Sequence, residues 1–101
     1  MFKTGALAQE TEVFHATVHF SGRVQGVGLR YHTLQVAKEF DVSGYVCNLR
    51  DGRVLLEAEG DPEEVRAFTA EVEDRLGVFI RKVESSEGVR QAQFRGFTIA
   101  H

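Results

Sequence analysis

Residues 22–30 read GRVQGVGLR, with three glycines and two arginines between two segments of different hydrophobic period. Before it, residues 13–21 (VFHATVHFS) alternate apolar and polar side chains, which is the period of a strand with one buried face. After it, apolar residues recur at helical spacing, which predicts an amphipathic helix over residues 28–40. The glycine-rich segment therefore joins a strand to the N-terminus of a helix, and this unit sets the start of the fold.

A hairpin and a second helix are predicted next. The runs VSGYVCNL (42–49) and VLLEAEG (54–60) are rich in strand formers, and the Asp-Gly pair at 51–52 between them is a strong hairpin signal. Asp61 is suited to cap a helix that begins at Pro62, where a missing N–H costs nothing. This helix is expected to bury a stripe of apolar side chains and to end at Gly77, and the stripe consists of Val65, Phe68, Val72 and Leu76.

The order of these elements predicts the fold class. A strand is expected near 78–84 and another near 93–99, with SSEGVRQ (85–91) as a polar loop between them. The order β-α-β-β-α-β with one extra strand predicts an α+β, ferredoxin-like sandwich. Two helices would cover one face of an antiparallel sheet of about five strands. Residues 1–12 are expected to be a disordered leader, and 13–101 to form the domain.

Composition excludes several classes of protein. The formal net charge of -3 argues against a general nucleic-acid or membrane-surface binder, because phosphate groups are held mainly by excess Lys and Arg. Cys47 is the only cysteine, so neither an intrachain disulfide nor a cysteine-based metal cluster can form. No apolar run is long enough to span a bilayer, and the first dozen residues lack the apolar core of a secretory signal. We therefore expect a cytoplasmic protein.

The glycine segment suggests an anion site. Glycine-rich backbone between a strand and a helix can turn successive N–H groups into one hollow, next to the positive end of the helix. Arg30, in the first turn, could reach over that hollow with a guanidinium that matches two phosphate oxygens. On spacing alone a plain turn is equally well supported. The GxxxxGK[ST] and GxGxxG phosphate loops are both absent.

A second feature lies in GYVCNLRDG, residues 44–52. Alone, Asn48 is typical of a turn. Its position inside the predicted second strand, four residues before Gly52, is however one from which a side chain can approach the helix that follows the first loop. Asn48 is thus a candidate partner for Arg30.

The remaining titratable side chains are predicted to be surface groups. By alternation, His15 and His19 lie on the solvent side of the first strand, and Glu57 and Glu59 form a solvated face of the third. Cys47 points to the sheet face opposite the glycine segment, and we expect it to be inert.

Together, the two motifs resemble the signatures of the acylphosphatase family. GRVQGVGLR resembles G-x-V-Q-G-V-x-[FY]-R, with Leu29 in the place of the usual aromatic residue, and GYVCNLRDG matches the second signature. The resemblance runs from about residue 15 to the C-terminus. It implies an acylphosphatase, which hydrolyses the carboxyl–phosphate bond of an acyl phosphate to a carboxylate and inorganic phosphate without metal or cofactor. It also implies that Arg30 binds the phosphate, that Asn48 orients the attacking water, and that the phosphate-binding loop amides belong to Val24, Gln25, Gly26, Val27 and Gly28.

Two other functions stay open at this point. One is a noncatalytic phosphate- or anion-binding regulatory module of the same fold. The other is an RNA-binding module with the same element order, but its third strand should carry aromatic residues and VLLEAEG carries none. For the enzyme we expect a monomer acting on a small-molecule acyl phosphate, with no nucleic-acid or membrane partner. Nothing in the sequence defines a pocket for the acyl group, which predicts tolerance of different acyl groups.

Overall fold

A computed structural model of the protein describes residues 12–101. The predicted leader, residues 1–12, lies outside this range except for Glu12, which begins the first strand. In chain order the elements are β1 (Glu12–Gly22), α1 (Leu29–Ala37), β2 (Val42–Asn48), β3 (Val54–Gly60), α2 (Pro62–Leu76), a 3-10 turn (Gly77–Phe79), β4 (Ile80–Gln91) and β5 (Phe97–Ile99).

The five strands form one sheet in the order β4-β1-β3-β2-β5. The pairs β1–β3, β1–β4 and β2–β3 are antiparallel, whereas β2–β5 is parallel. The sheet is therefore mixed, and the prediction of a wholly antiparallel sheet is wrong at this edge. The reason is that the chain leaves β4 at one edge and returns across the sheet before it forms β5, and alternation within a strand carries no information about that path.

Both helices pack on one face of the sheet, as predicted. The alternate residues of β1 that face the helices, Phe14, Ala16, Val18 and Phe20, are all buried. The predicted apolar stripe of α2 is buried as well, and α1 buries Leu29, Thr33, Val36 and Ala37. This shared core fixes the N-terminus of α1 above one end of the sheet.

Strand β4 differs from the prediction at both ends. It begins at Ile80, because residues 77–79 form a 3-10 turn, and it runs through the predicted polar loop to Gln91. It pairs with β1 along its whole length, from Ile80 against Gly22 to Gln91 against Glu12. Almost every residue of this edge strand is exposed on both faces, so a polar composition costs little and leaves no alternating pattern.

The segment 92–96, which leads to β5, lies on the helix-free face of the sheet. The backbone N–H groups of Gln93 and Phe94 both donate to Glu59 Oε2 at 2.8 Å, and Glu59 is only 2% exposed. Nearby, His15 Nε2 lies 2.7 Å from Glu57 Oε1. The prediction that His15, Glu57 and Glu59 are solvated surface groups is therefore wrong, because alternation identifies the face but not a later segment that covers it.

Candidate active site

The segment between β1 and α1 owes its path to two glycines. Gly26 and Gly28 have φ angles of 81° and 77°, in the left-handed region that other residues rarely adopt. Gly28 is also the N-cap of α1, and no side chain caps this helix end. The first turn of α1 contains no acidic residue. The positive end of the helix is therefore open to an external anion.

The backbone donors of this loop are uncommitted. Within residues 12–101, none of the N–H groups of residues 24–28 donates a hydrogen bond to another protein group. The N–H groups in the first turn of α1 have no partner within the helix either, as at any helix start. Such donors, gathered next to the positive end of a helix, suit a phosphoryl group.

The side chain of Gln25 ties the loop to the β2–β3 turn. Its Nε2 donates to the carbonyl oxygens of Leu49 at 2.8 Å and Arg53 at 3.0 Å. These two residues also bond to each other across the turn, where Leu49 N donates to Arg53 O at 2.8 Å. From the sequence, only the backbone amide of Gln25 was expected to contribute to the site. The structure adds a side-chain contact that holds the loop beside the end of β2.

Arg30 and Asn48 line one cavity of about 340 Å³ together with Val24, Gly26 and Gly28. Arg30 is the second residue of α1, two positions after the N-cap. Within residues 12–101 no carboxylate forms an ion pair with it. The cavity therefore contains a guanidinium whose charge is not neutralised by the protein.

The other two predicted loop residues do not line the cavity with their side chains. Val27 packs against the hydrophobic core, and Gln25 is directed to the β2–β3 turn. Their role in the site is restricted to the backbone and to the position of the loop.

Asn48 lies at the cavity because alternate residues of β2 share one face of the sheet. It ends a series of alternate residues, Val42, Gly44 and Val46, that are buried under the helices, so its side chain lies on the same face as α1. Within the described part of the chain, Asn48 Oδ1 is buried and accepts no hydrogen bond. A buried acceptor without a partner is rare in native proteins, and this one belongs to a side chain that lines the cavity.

Cys47 lies on the opposite face of the sheet and does not line the cavity. Burial raises the pKa of its thiol, and the nearby Glu57 carboxylate raises it further, against a smaller opposing effect of Arg30. The thiol is therefore protonated at neutral pH and is a poor nucleophile.

Three residues that sequence reasoning missed also line the cavity: Tyr31, Ile99 and His101. Ile99 pairs with Val46 in the parallel register, and Ala100 N donates to Val46 O at 2.9 Å. This register brings His101 level with Asn48. Only the pairing of β5 with β2 could have indicated this, and the sequence contains no local signal for it.

Residues 12–101 contain no group of three or more His, Cys, Asp or Glu side chains placed to hold a metal ion. None of their helices combines the length and the apolar character needed to cross a membrane.

Known proteins that are similar to this chain include several acylphosphatases. The family model described as acylphosphatase matches residues 16–99. An acylphosphatase of Oceanobacillus iheyensis is 51% identical over 67 residues, which cover 66% of this chain and 74% of the relative. One of Thermotoga maritima is 39% identical over 84 residues, which cover 83% of this chain and 93% of the relative. The crystal structure of acylphosphatase from Bacillus subtilis superposes with a TM-score of 0.78 at 27% identity, covering 87% of this chain and 99% of that one. The chain belongs to the acylphosphatase family.

Proposed function

We propose that this protein hydrolyses the carboxyl–phosphate bond of acyl phosphates, releasing a carboxylate and inorganic phosphate. The observation that carries the proposal is the joint lining of one cavity by Asn48, by a loop of uncommitted amides and by Arg30, which has no ion-pair partner within residues 12–101. Family membership over residues 16–99 supports the same reaction. A noncatalytic phosphate-binding module is the alternative, and it would need the anion seat but not Asn48.

The chemistry requires few protein groups. The leaving group is a carboxylate, which departs without being protonated at neutral pH because its acid has a pKa of about 4 to 5. Phosphoryl transfer passes through a loose transition state, so catalysis depends mainly on positioning and on stabilising charge. Arg30 and the loop amides hold the phosphoryl oxygens and balance their charge.

Asn48 positions the nucleophile. A carboxamide does not titrate near neutral pH, so it cannot act as a base. Its carboxamide forms a hydrogen bond with a water molecule and directs the water oxygen at phosphorus. As the new P–O bond forms, the bond from phosphorus to the acyl oxygen breaks and its electron pair stays with the carboxylate. The proton of the water passes to a phosphoryl oxygen, and the phosphate leaves.

Hydrolysis of benzoyl phosphate, compared with that of p-nitrophenyl phosphate in EDTA, tests the proposal. The parent is expected to hydrolyse only the acyl phosphate and to be insensitive to EDTA. Arg30→Ala should lower kcat/KM by about 10²–10³, the usual loss when a donor to a developing charge is removed. The matched control is Arg81→Ala, an exposed arginine of β4, which should not change the rate. Metal dependence would contradict the proposed mechanism, and no turnover by the parent would favour the noncatalytic module.

We further propose that the enzyme works as a cytoplasmic monomer on a small molecule, with no nucleic-acid or membrane partner and no cofactor. The net charge of -3 supports the absence of such partners, because phosphate-rich surfaces attract basic proteins. The single cysteine is in keeping with a reducing compartment. Light scattering on the purified protein should give the monomer mass of 11.3 kDa, and twice that mass would contradict the monomer.

A further inference from the structure

The cavity has room for more than the phosphoryl group. Its volume of about 340 Å³ lies within the range of roughly 300–1,000 Å³ that is usual for small-molecule sites. Arg30, Asn48 and the glycine loop account for the part that would hold the phosphoryl group. Tyr31, Ile99 and His101 have no part in that chemistry and, together with Leu29, form the rest of the lining.

The part of the cavity lined by Tyr31 and His101 is open to solvent, since Tyr31 is 59% exposed and His101 is also exposed. The acyl group is covalently attached to the phosphoryl group that Arg30 and the glycine loop would hold. It must therefore lie beside that group, where Tyr31 and His101 complete the lining of the same cavity.

We propose that Tyr31 and His101 form an acyl-binding rim that favours acyl phosphates with a flat aromatic acyl group over those with a small aliphatic one. This inference rests on the proposed function. The phenol and imidazole rings offer flat faces on which an aromatic group can stack. Ile99 adds apolar surface to the lining of the same cavity. A small acyl group such as acetyl would reach little of this surface.

Rigid elements hold the rim in place. Tyr31 lies in the first turn of α1, next to Arg30, so its position is fixed relative to the phosphate seat. The pairing of Ile99 with Val46, together with the bond from Ala100 N, fixes the chain just before His101. Ordered rim residues lose little freedom when a ligand binds, so their contacts contribute to affinity.

The kinetic test compares benzoyl phosphate with acetyl phosphate. Tyr31→Ala and His101→Ala should each lower the ratio of kcat/KM for benzoyl to acetyl phosphate by roughly two- to tenfold, the usual effect of one aromatic pair. The loss should appear mainly in KM for benzoyl phosphate, and Tyr31→Phe, which keeps the ring, should retain the parent ratio. The matched control is Val89→Ala, an exposed apolar residue of the far edge strand, which should leave the ratio unchanged. An unchanged ratio in both rim variants, or equal losses of kcat/KM for both substrates, would overturn the proposal of an acyl-binding rim.

A binding test separates the rim from the reaction. Calorimetry with benzylphosphonate and methylphosphonate, which cannot be hydrolysed, should show that the parent prefers the benzyl compound and that Tyr31→Ala loses this preference. No turnover of acyl phosphates with this preference intact would overturn the proposed function and support the rim. Rapid turnover without any benzyl preference would support the function and overturn the rim.

Discussion

Arg30 and Asn48 contribute different things to the same cavity. Arg30 brings a permanent charge that no carboxylate in residues 12–101 neutralises, so it suits the binding of an anion whether or not a reaction follows. Asn48 brings a neutral carboxamide that adds no charge for an anion but can hold a water molecule. At the scale of single residues, the difference between a binding module and an enzyme is therefore expected at Asn48.

Asn48→Ala should separate binding from catalysis. We expect kcat for benzoyl phosphate to fall on the order of 10²-fold, because the water is no longer oriented. The inhibition constant of inorganic phosphate should stay within about twofold of the parent, since Arg30 and the loop amides are unchanged. The melting temperature should not fall, because the change removes a buried oxygen that has no hydrogen-bond partner. Turnover equal to the parent's, with phosphate binding retained, would rule out the water-orienting role.

At the scale of elements, the site depends on a contact between two connections. The loop before α1 carries the amides, the β2–β3 hairpin carries Asn48 on its first strand, and Gln25 links them. Gly44 has a structural task in the same hairpin. A Cβ there would lie 1.9 Å from the carbonyl oxygen of Glu57, so the close approach of β2 and β3 requires glycine. The two sequence motifs thus combine residues for chemistry with residues for fold.

Removal of the Gln25 link should impair the site more than the fold. Gln25→Ala loses two exposed hydrogen bonds, each worth about 0.5–1.5 kcal/mol at most, so the free energy of unfolding should fall by no more than about 1–3 kcal/mol. The loop would no longer be fixed beside β2, and we expect kcat/KM to fall at least tenfold. Gln25→Glu should be worse, because a carboxylate cannot donate to the carbonyls of Leu49 and Arg53. The control is Gln91→Ala on the exposed edge strand. Parent-like kinetics and stability in Gln25→Glu would show that the link has no role.

At the scale of the whole molecule, the helix-free face of the sheet holds the chain's return to β5. Glu59 binds this segment, and beside it Glu57 accepts hydrogen bonds from Tyr45 and His15. Burial would raise the pKa of Glu57, but the bonds from Tyr45 and His15 outweigh it, so the pKa lies below its ordinary value of 4.5. The folded state therefore favours the ionised carboxylate.

This lowered pKa predicts how stability depends on pH. The stabilising contribution of Glu57 is complete above its ordinary pKa and is lost as the pH falls through the lower, folded-state value. Glu57→Gln should therefore be less stable than the parent at neutral pH, and the difference in stability should narrow as the pH falls below the ordinary pKa of 4.5. Urea denaturation at several pH values measures this. A difference that stays constant with pH would contradict the assignment.

Local features of the sequence were enough to predict part of this molecule. The two-residue period of β1, the Asp61 cap and the Asp-Gly turn each act over a few residues, so the elements and their order followed from them. Arg30 and Asn48 were predicted for the same reason. Arg30 is the last residue of the glycine-rich segment, and the face on which Asn48 lies follows from its position in the alternation of β2.

Long-range features could not be predicted in this way. Glu59 alternates like a surface residue, and the segment that buries it lies about 35 residues further along the chain. The extent of β4 was hidden because an edge strand exposed on both faces has no hydrophobic period. His101 comes level with Asn48 only through the pairing of β5 with β2.

Hydrolysis in water enriched in ¹⁸O tests the central claim most directly, namely that water attacks phosphorus. The parent would hydrolyse benzoyl phosphate in a single turnover, and both products would be analysed by mass spectrometry. We expect one labelled oxygen in each inorganic phosphate released and none in the benzoate, because the bond that breaks joins phosphorus to the acyl oxygen. Label in the benzoate carboxylate would mean that water attacks the carbonyl carbon, and it would contradict the account of this site.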